Sequence, residues 1–353
     1  MSEGLNFNWP IIGHDSIKKF LQLSISNKSL AHAYIFYGSE KVGKTTTAMV
    51  FAKSILCTHY KEYTSLSAAL GESKKITALP CNECESCLQF EKGLYADFYL
   101  LEREINEKTG DKKKNIAVSQ IRSLQEKIGK RAFLNSYKIV IIKEAETLTK
   151  GASNSLLKTL EEPTSKTILI LIGTSRELML DTILSRCQAF KFLPIIKESV
   201  YQYLLEKGTS RPLANELANL SQGRPTVALK FMESMDALAA YKEKNSSWLN
   251  LFKKNNVDKF KFIDQIFKTK PSVDSLVKDL NELSGLVRDL LLVESHSSNL
   301  LSHIYLENDL GEIAKKSSEL RLIQMAKSIE LTKKYLKQNI NPKLALENLI
   351  INF

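Results

Sequence analysis

The sequence predicts an α/β fold, a parallel sheet flanked by helices, followed by all-helical domains. Three observations lead there. Near-continuous apolar runs alternate with helical patterns in the first half, as they do where a parallel sheet is covered on both faces. A loop with phosphate-binding spacing joins the first run to a helix. After about Pro194 the strand-like runs stop while helical periodicity continues to the end. At 353 residues the chain has room for two or three domains, each with its own core.

The strand-like runs are Ala33 to Tyr37, Asp97 to Leu101, Lys138 to Ile142 and Thr167 to Ile172. Beyond Pro194 the helical readings are Glu198 to Lys207, Arg211 to Ser221 and Pro225 to Ala240, with Gly223 and Pro225 at a helix-turn-helix junction. Tyr241 to Trp248, rich in Lys, Asn and Ser, reads as a linker. In the last helix Asn341 suits the N-cap and Pro342 the first helical position, with Leu346, Leu349, Ile350 and Phe353 as an apolar stripe. The division expected is 1–193 for the sheet domain, with a cysteine module around 57–95, then 194–242 and 243–353, both helical.

The formal charge of +11 favours encounters with nucleic acid or acidic partners, although lysines scattered as here, including Lys112 to Lys114 near a hairpin tip, also describe an ordinary solvated surface. No basic stretch leads into an apolar one at the N-terminus, and the apolar run Ile168 to Ile172 is too short for a bilayer. The expectation is a cytoplasmic protein.

The loop reads Gly38-Ser39-Glu40-Lys41-Val42-Gly43-Lys44-Thr45. Glycines let successive backbone N–H groups turn toward phosphates, and the following helix adds the positive end of its dipole. Lys44 then reaches the terminal phosphates and the Thr45 hydroxyl ligates magnesium, with Gly38, Gly43 and Thr46 completing the expected loop contacts. The strand expected to supply the magnesium acid ends instead in Lys143-Glu144-Ala145-Glu146. A lysine offers donors only and brings positive charge to the metal position.

Cys57, Cys81, Cys84 and Cys87 form a second constellation, the last three at C-x2-C-x2-C spacing after Pro80. Four thiolates with no water position suit a structural Zn2+. An iron–sulfur cluster is the rival, though no Cys-Pro follows, and unligated thiols are the plainest alternative. His59 is a less fitting substitute for Cys57, and Cys187 stands apart.

With these residues in place, the chain resembles the AAA+ subunits of the bacterial DNA polymerase III clamp loader, the gamma/tau and delta prime family. The resemblance rests on Ile12-Gly13-His14, Ala31-His32-Ala33-Tyr34, the loop and the cysteines, then on Ser153-Asn154-Ser155-Leu156-Leu157-Lys158-Thr159-Leu160-Glu161-Glu162-Pro163 and Thr182-Ile183-Leu184-Ser185-Arg186-Cys187. It extends to Asn341-Pro342-Lys343-Leu344-Ala345-Leu346-Glu347 at the end. It implies an AAA+ domain with a zinc-binding insert, an all-α lid and an all-α collar. It also implies ATP or ADP with Mg2+ in the loop, Thr174 or Ser175 at the nucleotide-sensing position after the fourth strand, and Arg186 as an arginine finger acting on the neighbouring subunit's ATP, where a fixed fork of donors stabilises charge on the transferred phosphoryl group. The implied partners are gamma/tau and delta in a hetero-pentamer, with a sliding clamp and primed DNA reached through the complex; no membrane and no polymerase site belong to this chain.

Two departures qualify the family pattern. Lys143 replaces the metal acid, which leaves Glu144, at the place of the water-polarising residue, with less to act upon. Thr226 stands where motor subunits carry the lid arginine that touches nucleotide, and Arg224, two residues earlier, lies on another helix face. Both favour the stationary delta prime branch, as does the expectation that no long basic or proline-rich tail follows the last helix. Retained nucleotide binding with slow or absent hydrolysis is the expectation. The alternatives are a divergent gamma-type motor using Glu144 or Glu146 in a shifted metal site, and a zinc-dependent nucleic-acid module.

Overall fold

The computed structural model describes residues 5–64, 78–107, 110–130, 132, 137–164, 166–338 and 340–351. The chain forms two compact units, Met1–Ser199 and Val200–Phe353, the division falling inside the helix Lys197–Glu206.

The first unit is built on five parallel strands: β1 (Ala33–Gly38), β2 (Phe98–Leu101), β3 (Lys138–Ile142), β4 (Thr167–Gly173) and β5 (Gln188–Phe192). Their order is β2-β3-β4-β1-β5. Successive side chains of a strand point to opposite faces, and the cores follow that alternation. Tyr34, Phe36, Ile139, Ile141, Ile168 and Ile170 pack with the helices Asp15–Ser26 and Lys44–Leu56 on one face. Ala33, Ile35, Val140, Ile142, Leu169 and Leu171 pack with Val118–Gly129 and Lys150–Glu161 on the other. Every residue of β3 and β4 is buried, which is why those strands read as unbroken apolar runs.

The expected strands appear as β1 to β4, and β5 is an addition. As an edge strand paired only with β1, it buries Phe192 and rests Phe190 on Phe36, leaving Gln188 and Lys191 to solvent. That alternation carries a period-2 signal without an apolar run. All strands being parallel, the loops after β1, β3 and β4 emerge at one end of the sheet, where α/β proteins place ligands.

Among the described residues, the second unit contains helices and no strands. In Val273–Glu294, Leu276, Leu280, Leu283, Val287 and Leu290 are buried, a 4-3-4-3 spacing that turns one stripe to the core. Asn341 caps the final helix Pro342–Ile351, its Oδ1 accepting from the N–H of Lys343 at 3.0 Å, and Leu346, Leu349 and Ile350 are buried. Phe353 of the expected stripe lies outside the described residues.

Two local readings are corrected. Pro225 to Ala240 is not one helix: Pro225–Glu233 ends and Met235–Asn250 begins at Ser234, whose hydroxyl accepts from the N–H of Ala237 at 3.2 Å. Tyr241 to Trp248 is no linker but the middle of that second helix. Leu238, Asn245, Trp248 and Leu249 lie on its buried face, while the lysines and serines responsible for the linker-like composition are more exposed.

A buried polar network ties this unit together. Asp289, fully buried, accepts through Oδ2 from the N–H groups of Ser302 (3.0 Å) and His303 (2.8 Å) and from His303 Nδ1 (2.8 Å). With Nδ1 donating, His303 Nε2 accepts from the Tyr241 hydroxyl at 3.0 Å. Burial pushes the Tyr241 phenol above its ordinary range, which keeps that donor protonated.

Candidate nucleotide and metal sites

The phosphate-type loop begins where β1 runs closest to β5. A Cβ on Gly38, φ +139°, would stand 2.0 Å from the Phe192 carbonyl oxygen, so no other residue fits there. Gly43 has open space around it but takes φ +101°, a conformation L side chains rarely adopt. Lys44 opens the following helix with its side chain folded inward, Nζ donating to the carbonyls of Ser39, at 2.6 Å, and Gly38. Burial holds its ammonium below the usual lysine range, opposed by the negative charges of Glu146 and Glu40. Thr45 is half-buried and Thr46 exposed.

His14 braces this loop. Its Nε2 lies 2.9 Å from the Val42 carbonyl, which only accepts, so the imidazole donates there. Its ring packs 4.7 Å from that of Phe192, and burial lowers its pKa. The preceding Gly13, at φ +67°, leaves room for Ile195, whose Cγ2 would lie 2.6 Å from an added Cβ.

At the end of β3 the residues separate. Lys143 approaches Glu102 at 4.0 Å, and Glu144, in left-handed backbone at φ 53°, is gripped by the Arg103 guanidinium through Nε and, at 3.3 Å, through a terminal nitrogen. Glu146 goes elsewhere. Its Oε1 accepts from the Thr174 hydroxyl at 2.7 Å and the Thr174 N–H at 3.2 Å, just past β4. Glu146 is thus the carboxylate tied to the β4 end and acting on the charge of Lys44, whereas Glu144 is neutralised by Arg103. Motif position pointed to Glu144; the pairing of β3 with β4, which brings Glu146 to Thr174, is seen only in the structure.

The four cysteines converge at the far end of the loop helix. Cys57 is the C-cap of Lys44–Leu56, Cys84 the N-cap of the helix Glu85–Glu91, and Cys87 lies within that helix. Their sulfurs lie within 4.8 Å of one another, with Sγ separations of 3.6 Å for Cys57–Cys81, 3.9 Å for Cys57–Cys84 and 3.9 Å for Cys81–Cys87. A tetrahedron with metal–sulfur bonds of about 2.3 Å has sulfur edges of about 3.8 Å, so the four could hold a metal ion. Burial raises the Cys81 thiol above its ordinary range, an effect that the N–H of Cys84, donating to Cys81 Sγ at 3.3 Å, opposes in part.

Lys53, buried on the loop helix, donates to Asn82 in the Cys81–Cys84 turn at 2.6 Å and to Glu91. Trp9 Nε1 donates to Ser54 on the same helix at 3.0 Å. One 13-residue helix therefore carries Lys44 and Thr45 at its start and the first cysteine at its end.

Arg186 follows the short helix Asp181–Leu184. Its guanidinium donates through one terminal nitrogen to the Thr182 carbonyl at 3.0 Å and the Ser185 hydroxyl at 3.1 Å. The other lies 2.8 Å from Glu161 at the end of Lys150–Glu161. Cys187, outside the metal cluster, has its thiol pushed up to about 12 by burial. In the second unit, Thr226 lies in the first turn of Pro225–Glu233, and Arg224 bonds to the Ser221 carbonyl at 3.1 Å and Gln222 at 2.9 Å. Lys112 and Lys113 pair with Glu102 and Glu104 at 3.0 and 2.7 Å, which locally offsets their charge.

Residues 13–195, just over half the chain, match the family model described as DNA polymerase III, delta subunit. The chain belongs to this family. Among relatives of the DNA polymerase III, delta subunit family, the chain is 28% identical to DNA polymerase III subunit delta' of Bacillus subtilis (strain 168) over 339 residues, 95% of this chain and 94% of that one. Subunit tau of the same organism is 35% identical over 190 residues, 54% of this chain and 30% of tau. A solved DNA polymerase III gamma subunit-related protein from Thermotoga maritima aligns at 15% identity and a TM-score of 0.44, covering 96% of this chain and 97% of its own. No described helix is long and apolar enough to cross a membrane.

Proposed function

We propose that this chain is a clamp-loader subunit of the delta prime kind, a stationary AAA+ member that assists loading of a sliding clamp on primed DNA. The family membership and the near full-length likeness to a delta' subunit support the clamp-loader role. The observation that carries the stationary part is the end of β3, with Lys143 at the metal-acid position and Glu144 occupied by Arg103. In this reading the loop grips ATP or ADP with Mg2+ through its backbone N–H groups, Lys44 and Thr45, but no carboxylate stands ready at Glu144 to polarise water.

Catalysis is lent to a neighbour. Arg186 presents its guanidinium to ATP held by an adjacent gamma/tau subunit, where its permanent charge offsets the negative charge that develops on the transferred phosphoryl group. The cysteine knuckle holds a structural Zn2+ that fastens the far end of the loop helix. Within the helical part we assign 194–242 as lid and 243–353 as collar, a boundary that falls inside the continuous helix Met235–Asn250 rather than in a linker, with the collar docking against gamma/tau and delta in a hetero-pentamer.

The purified chain, given Mg2+ and labelled ATP, should bind nucleotide and turn it over negligibly, with Lys44→Ala losing the binding. Robust Mg2+-dependent hydrolysis that disappears in Lys44→Ala would overturn the stationary reading. It would favour the gamma-type motor, for which Glu146, held by Thr174, is the available carboxylate.

A further inference from the structure

We propose that Glu161 is the positioning residue for Arg186: it holds the guanidinium in the pose in which it meets the neighbouring subunit's nucleotide. The inference rests on the arginine-finger reading above. Three observations carry it.

Glu161 is the last residue of the helix Lys150–Glu161 and Glu162 is its C-cap, so two acids stand at the negative end of the helix dipole. That placement opposes helix stability, and local conflicts of this kind mark positions kept for another reason. The Glu161–Arg186 pair is also half-exposed, with side chains 50% and 36% accessible, and exposed pairs add little to folding.

The third observation is the donor inventory. A guanidinium has five N–H groups in a rigid plane. One terminal nitrogen donates to the Thr182 carbonyl and the Ser185 hydroxyl, and the other spends one hydrogen on Glu161. Among the described residues, two N–H groups remain for a phosphate. The backbone carbonyl and hydroxyl belong to the segment that carries Arg186, so they move with it; Glu161 alone refers the guanidinium to the rigid sheet-packed helix. Pre-set donors need no reorganisation when charge develops, which is the condition for transition-state stabilisation.

The experiment is the DNA-stimulated ATPase of the reconstituted complex containing this chain as wild type, Arg186→Ala, Glu161→Gln, Glu161→Asp and the Arg186→Ala/Glu161→Gln double variant, with assembly checked by size exclusion. We expect Arg186→Ala to lower kcat and Glu161→Gln to lower it about 2- to 5-fold, the scale of one exposed charge pair, with KM for ATP unchanged. The double variant should match Arg186→Ala, and Glu161→Asp should recover part of the loss. Full activity of assembled Arg186→Ala would remove the finger reading and this inference with it. If Arg186→Ala is slow while Glu161→Gln runs at or above the wild-type rate, the finger stands and the positioning role falls. Loss of assembly in both Glu161 variants would overturn it too, since the carboxylate would then serve an interface.

Discussion

Asp289→Ala should destabilise the helical unit by about 3–5 kcal/mol. In the native protein its Oδ2 takes three donors, the N–H groups of Ser302 and His303 and His303 Nδ1, at 2.8–3.0 Å, and its Oδ1 takes Arg288 at 3.0 Å. Ser302 and His303 are themselves 3% and 1% exposed, so alanine strands three donors where solvent does not reach. Each buried hydrogen bond left unmade costs roughly 1–3 kcal/mol, giving about 3–9 kcal/mol in all, and water entering the space of the lost carboxylate trims this to the lower half. Asparagine keeps one oxygen for the three donors on Oδ2 but turns an NH2 group toward Arg288 in place of Oδ1, a loss of about 1–2 kcal/mol. Urea unfolding followed by tryptophan fluorescence in a Trp9→Phe background, which leaves Trp248 of the helical unit as the reporter, is the assay. With a slope of about 2 kcal/mol per molar, alanine should lower the midpoint by about 2 M. A shift below about 0.5 M, or equal shifts for alanine and asparagine, would refute the argument that the carboxylate satisfies otherwise stranded donors.

The purified chain should carry one tightly bound metal ion, lost in Cys81→Ser; Lys53→Met, which cuts the tie to Asn82 and Glu91, should weaken metal retention about 10- to 100-fold in chelator competition, and metal-free wild type would sink both expectations. His14 supplies a pH dependence: burial lowers its pKa in the fold, while the unfolded chain takes up that proton near the ordinary value of about 6.5. Below that value the unfolded state binds more protons, so stability falls as pH drops through about 6.5 and levels off under the folded pKa; a His14→Gln variant with the same slope would refute this assignment.

Much of the first unit was legible because β3 and β4 are buried on both faces and β2, though an edge strand, is four apolar residues in a row. Lys138 to Ile142 and Thr167 to Ile172 need no partner to be recognised, and the cysteine spacing likewise announces its own convergence. β5 escaped because Gln188 opens it and Lys191 separates its two aromatics, so this strand, wetted on one side, carries no apolar run. The break at Ser234 escaped for a different reason. The apolar pattern continues in phase across it, and only the hydroxyl cap on Ala237 reveals that one helix ends where another starts. For Tyr241 to Trp248 composition misled, since the polar residues are a solvated face and the informative positions are Asn245 and Trp248.

The sequence names candidate residues for the site, and the structure adds their pairings. After β3, the backbone turns left-handed at Glu144 and enters the short 3-10 turn Ala145–Thr147, so Glu144 and Glu146 are directed to different neighbours. β3 lies between β2 and β4 in the sheet, and the two acids divide accordingly: Glu144 meets Arg103 beyond β2, and Glu146 meets Thr174 beyond β4. β4 is the strand that pairs with β1, and β1 delivers the phosphate-type loop. An acid turned toward β4 therefore stands on the side of the sheet end where the phosphate-type loop lies, and one turned toward β2 does not. Strand order, which no local motif encodes, decides which carboxylate can serve the loop. The same order gives Lys143 its own counter-charge in Glu102, so restoring an acid at position 143 alone would leave Glu144 still held by Arg103.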